Sequence, residues 1–152
     1  MTVPRPLVPV PARNQSANSV GTLNALLRGL VAAVVSGLFG TGIHASLTYV
    51  GDFPLTWGVG LAWLLLGLLV YWAAVSSGKL WAGAVGFIGC YVTVGMISYL
   101  GHDQMLLSAP YFQYLPGPTV ASLLWMYGMV VPAVIGLVTA LRVMRKRHRK
   151  AQ

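Results

Sequence analysis

The sequence predicts an all-α membrane protein with four transmembrane helices and both termini on one side. Three observations carry that reading. The chain of 152 residues is 57% hydrophobic and only 8% charged, with a mean hydropathy of +0.73. A soluble domain of this length carries roughly a quarter charged residues, and so few charges cannot cover a water-facing surface. Four apolar runs, at 26–50, 55–75, 80–100 and 119–141, each reach the roughly 20 helical residues that cross a hydrocarbon core about 30 Å thick. Finally, the ten basic residues fall on one side of this arrangement and the two acids, Asp52 and Asp103, on the other.

The first 21 residues form a Pro-rich tail, with Pro4, Pro6, Pro9 and Pro11 favouring an extended, polyproline-like chain. It reads poorly as a signal peptide, because the apolar run behind it is too long and no small-residue cleavage site ends it. A tail of this kind is either a loose terminus or a strip that lies along a partner.

The four spans form a domain over 22–141. Arg5, Arg13 and Arg28 precede or open the first span, Lys79 joins the second to the third, and six basic residues crowd into 142–150. Cytoplasmic loops carry the excess of Lys and Arg, so N-in and C-in is the predicted orientation, in the plasma membrane. Aromatic side chains agree with this placement. Trp57 marks the outer end of the second span, and Tyr71 with Trp72 the inner end, about 22 Å apart at 1.5 Å per residue.

Packing of the spans is expected at small residues, because apolar side chains gain little by meeting each other in lipid. Gly29, Ala33 and Gly37 recur in the first span, Gly83 and Gly86 in the third, and Gly128 and Gly136 around Pro132 in the fourth. The second span, LAWLLLGLLVYW, is Leu-rich, and predicts a helix facing lipid or an apolar partner. Pro132 predicts a kink, since its ring removes one intrahelical hydrogen bond.

The basic tail at 142–152 places Arg142, Arg145, Lys146, Arg147, Arg149 and Lys150 where anionic lipid headgroups would lie. Its position directly after an apolar run argues for a membrane anchor rather than nucleic-acid binding. The third loop, within 99–118, is unusually apolar for a connection between spans. Leu106, Leu107, Tyr111, Phe112 and Tyr114 suit either an interfacial segment dipping into headgroups or a patch that docks a protein partner.

Residues that could carry chemistry are few. No Asp, Glu, Lys or Arg lies deep in a span, which argues against a small proton-coupled exporter, whose mechanism needs an intramembrane carboxylate. His44 is the interior candidate: a proton relay, a haem ligand, a quinone donor, or a packed histidine bonded to a neighbouring hydroxyl or carbonyl. His102 and Asp103 open the third loop and make a weak metal or haem set with His44, or simply a polar helix end. Cys90, the single cysteine, reads as an inert core thiol. No nucleophile set, paired carboxylates, HExxH or phosphate loop is present in the sequence. The expectation is therefore no enzyme, no catalytic residues, no cofactor and no metal of its own. It is instead a non-catalytic accessory or assembly subunit, with other membrane protein subunits as partners. A small homo-oligomeric channel or transporter is the alternative.

From the Pro-rich start through RGLVAAVVSGLFGTGIHASLTYVG to the basic RVMRKRHRK end, the layout resembles small uncharacterised four-span membrane proteins of actinobacteria. It is similar in size and style to accessory subunits of the actinobacterial cytochrome bcc–aa3 respiratory supercomplex. That resemblance covers most of the chain and rests on layout, so it implies a place in a respiratory complex and carries over no functional residues.

Overall fold

The structure is a computed structural model and describes residues 13–51, 53–100 and 109–150. Helix α1 (Arg13–His44) leads into a hairpin of β1 (Thr48–Val50) and β2 (Phe53–Leu55), followed by α2 (Trp57–Ser77) and α3 (Leu80–Leu100). A 3-10 turn (Ala109–Gln113), α4 (Pro116–Gly128) and α5 (Val130–Lys150) complete the chain. Among the described residues, four stretches are long and apolar enough to span a membrane: Gly21–His44, Trp57–Ser77, Leu80–Leu100 and Pro116–Lys150. The fold is thus an all-α four-span membrane protein, its fourth span built from α4 and α5.

Several boundaries differ from expectation, each for a local reason. The first helix stops at His44, where the Ser46 N–H bonds back to the Ile43 carbonyl at 2.9 Å, instead of running to residue 50. The chain then enters an antiparallel hairpin pairing Thr48 with Leu55 and Val50 with Phe53. Its two-residue turn needs a positive φ, which Gly51 supplies at 63°. The fourth span starts with Pro116 at the head of α4, three residues before the expected 119, because a helix's first N–H groups go unpaired anyway. At the other extremes, α1 already begins at Arg13 and α5 runs on to Lys150. The basic segment read as a tail is therefore the last turns of a transmembrane helix.

Glycine sets the helix contacts. A Cβ on Gly29 would stand 2.7 Å from the Ala82 carbonyl oxygen, and one on Gly37 would stand 2.6 Å from Thr93 Cβ. Gly86 and Gly89 of α3 answer with Ala32 and Ala33 of α1, so α1 and α3 share one small-residue seam. The fourth span turns elsewhere. Gly128 lies against the Trp63 ring, and a Cβ on Gly136 would stand 2.6 Å from the Gly67 carbonyl oxygen. Both contacts are to α2.

Helix α2 is consequently the central helix, packed on α1, α3 and α5, and meets lipid along one side only. Ala62, Leu66, Val70, Ala73 and Ala74 point inward and are buried, while Leu61, Leu64 and Leu68 face out. In hydrocarbon the two faces are equally apolar, so hydropathy carries no signal for which one is covered.

The break in the fourth span follows from Pro132. It has no N–H for the Gly128 carbonyl, and the neighbouring bonds Met129 N–H to Trp125 O and Ala133 N–H to Met129 O are long, at 3.3 and 3.4 Å. At the basic end, Gly78 closes α2 with φ 67°, and Lys79 Nζ donates to Thr22 Oγ1 of α1 at 2.8 Å.

Two outcomes are expected. Gly136→Val overfills the α2–α5 crossing and lowers stability in micelles by about 1–3 kcal/mol. Gly42→Ala, in open space, does not; reversible unfolding followed by circular dichroism measures both. In a Cys90→Ala background, Lys79→Cys and Arg145→Cys label from one side of sealed vesicles, and Leu55→Cys and Tyr114→Cys from the other.

Candidate docking surface and buried histidine site

The end of the bundle remote from Lys79 carries two features: an apolar platform on the surface and a polar cluster beneath it. The platform begins with the hairpin. Gly58 at the start of α2 donates its N–H to the Ser46 carbonyl at 3.0 Å and lies directly against the Ile43 carbonyl, too close for a side chain. These contacts fix the hairpin over the joint between α1 and α2. Its other flank lies on the first turn of α4, where a Cβ on Gly117 would stand 2.9 Å from the Tyr49 hydroxyl and 3.0 Å from Pro54.

The 3-10 turn packs on α4 as well. The Tyr111 carbonyl accepts the N–H groups of Tyr114 and Leu115 at 3.0 and 2.9 Å, which closes the turn before α4 begins. Of the docking candidates, Tyr111, Phe112 and Tyr114 sit here and all three are exposed. Leu106 and Leu107 lie outside the described residues, as do His102 and Asp103. The hairpin adds Val50 and Phe53, and the end of α3 adds Tyr99, at 65%, 70% and 89% exposed. Sequence reasoning placed the patch in the third loop alone. The signal for the hairpin half was the β-branched and aromatic run TYV, followed by Gly-Asp and FPL.

Below the platform lies Trp125, fully buried. Its six-membered ring stands 2.5 Å from where a Cβ on Gly40 would be, so only glycine fits at position 40. The indole N–H donates to Thr41 Oγ1 at 3.4 Å, and the His44 ring stacks beside it, 6.4 Å between centroids at 22°. His44 is also buried. Its Nδ1 lies 2.5 Å from the Thr41 carbonyl oxygen. A carbonyl only accepts, so Nδ1 carries the proton and Nε2 faces Ser122 Oγ at 3.5 Å as an acceptor.

Of the roles weighed for His44, the geometry is that of the packed histidine. Both ring nitrogens are engaged within the bundle, and the group ties the end of α1 to α4. It also sits at the helix end, not a turn and a half inside it. Thr119, one turn before Ser122, is fully buried with no hydrogen-bond partner for its hydroxyl among the described residues. Cys90 is buried in the core with Leu66, Val94 and Trp125, its thiol against the Ser36 hydroxyl. Trp125 itself was not singled out from sequence. A tryptophan seven residues into a span, away from the headgroup belts, was the available signal.

Removing the histidine by His44→Leu deletes its bond to the Thr41 carbonyl and its contact with Ser122 Oγ across to α4. The expected cost is about 1–3 kcal/mol. Trp125→Ala is expected to cost about 3–5 kcal/mol, and Tyr127→Ala, at an exposed position, less than about 0.5 kcal/mol. Thermal unfolding in one detergent ranks the three.

No protein-family model matches this sequence, and neither a curated protein nor a solved structure matches it.

Proposed function

We propose that this chain is a non-catalytic accessory subunit of a larger complex in the plasma membrane, and specifically, on the resemblance in layout, of a respiratory one. The observation that carries the reading is the platform: Val50, Phe53, Tyr99, Phe112 and Tyr114 exposed together at one end of the bundle. Exposed aromatic rings in such number favour a partner surface, because each offers a large contact area at low conformational cost. The opposite end is basic and suits an inward orientation, with anionic headgroups around α5.

Apart from Thr119, the hydroxyls named next, which a pore would need, are used inside the chain. Ser36, Thr93, Ser98 and Thr139 bond back to carbonyls of their own helices. Thr41 and Ser122 serve Trp125 and His44. That distribution supports a subunit over a channel built within one copy.

Mild-detergent purification of tagged protein from its native membrane, with native gels, mass spectrometry and an absorption spectrum, tests the proposal. The expected result is co-purification of larger subunits at fixed ratio, with haem absorbance if the complex is respiratory. Phe112→Glu/Tyr114→Glu is expected to reduce that recovery at least about tenfold while the protein still inserts. A chain that runs alone as a small homo-oligomer overturns the reading and directs attention to ion flux in liposomes.

A further inference from the structure

Two hollows lie one after the other along one stripe of α5. The first is a groove of about 440 Å³ between α2 and α5, with Trp63, Gly67 and Tyr71 along one wall and Pro132, Ile135 and Thr139 along the other. Its floor is the Gly67–Gly136 crossing, where the two backbones come too close for a side chain. The groove runs about 12 Å along α2, from Trp63 to the aromatic level of Tyr71. It therefore lies at hydrocarbon depth and opens toward lipid.

The second hollow, of about 190 Å³, is lined by Arg142, Arg145, Lys146 and Arg149. Positions 135, 139, 142, 146 and 149 recur at alternating steps of four and three, which places them on one stripe of a helix. Thr139 and Arg142 are less than one turn apart, about 4.5 Å along the axis. The apolar groove and the basic hollow are thus consecutive along the helix.

Charge decides what fills the second part. Four cations stand within about two turns and are all exposed. The chain's only acids, Asp52 and Asp103, belong to the other side of the sequence layout. The countercharge must come from outside the chain. A free anion would satisfy the cations and ignore the groove. A molecule with a phosphate at headgroup level and a hydrocarbon chain beneath it matches both.

We propose that this face of α5 binds one anionic phospholipid, its phosphate held by Arg142, Arg145, Lys146 and Arg149 and one acyl chain laid along the α2–α5 groove. The site deepens the general lipid contact proposed above for the basic end and rests on it. A zwitterionic lipid brings its own ammonium group to the four cations and is disfavoured.

Native mass spectrometry of the full chain in micelles tests this, with phosphatidylglycerol or phosphatidylcholine titrated in. One phosphatidylglycerol is expected to be retained, about tenfold or more tighter than phosphatidylcholine. Arg142→Gln/Lys146→Gln is expected to weaken retention about tenfold or more. Arg147→Gln/Lys150→Gln removes the same charge away from the hollow and is expected to change it less than about twofold. Ile135→Trp fills the groove from a lipid-exposed position, 60% accessible, and is expected to abolish the one-to-one adduct while helicity by circular dichroism is unchanged.

Equal losses from the two double variants would overturn the discrete site and leave only diffuse attraction to the basic end. Unaltered binding to Ile135→Trp, or displacement of the lipid by an equal concentration of glycerol phosphate, would overturn the acyl-chain half.

Discussion

Close approach of backbones at glycine is the contact on which this bundle depends. In water, burying leucine would supply most of the driving force for helix association. In hydrocarbon that term is nearly absent, and what remains is dispersion between surfaces that fit, with short polar contacts added. The chain concentrates both at a few points. Gly29 and Gly37 bring α1 onto α3, Gly67 and Gly136 bring α5 onto α2, and Gly58 seats the start of α2 on the end of α1. Around these points the larger side chains that remain inside, chiefly Leu66, Val70, Trp125 and Met129, fill what space is left.

The polar groups inside are arranged with the same economy. Serines and threonines bond back to their own helices at most positions, which needs no partner helix. An exception is the group of Thr41, His44, Ser122 and Trp125, where hydrogen bonds cross from α1 to α4. It lies just under the hairpin, at the end of the bundle remote from Lys79. A buried histidine there fixes the angle at which α4 enters the bundle. Through α4 it also supports the hairpin and the 3-10 turn that carry the exposed aromatic rings.

The two ends of the molecule consequently present opposite chemistry. One is aromatic and apolar, held by a short sheet and by the turn closed on the Tyr111 carbonyl. The other is cationic, built as an unbroken continuation of a transmembrane helix. Because α5 stays helical through Lys150, its apolar stripe and its basic stripe remain in register. A flexible tail of the same composition would attract anionic lipid without ordering it.

Membrane class, the number of spans and the position of the breaks between them were legible in the sequence, because hydropathy over about 20 residues measures the one quantity a bilayer selects for. The seam between α1 and α3 was legible from the spacing of Gly29, Ala33, Gly37 and Gly86, since small residues are the ones that admit a neighbouring helix, whereas Gly83 packs on Val70 and Ala74 of α2 instead. Three features required the tertiary structure. The central place of α2 was hidden because in lipid a Leu-rich helix looks the same inside a bundle as outside it. The end of α1 at His44 was masked because the run stays largely apolar through residue 50, and only the TYV and FPL pattern hinted at the strands. The pairing of the groove with the basic hollow depends on α5 continuing as one helix past Leu141 while its glycine meets α2. That alignment is a matter of angle and register between two helices, which composition and spacing along one chain do not encode.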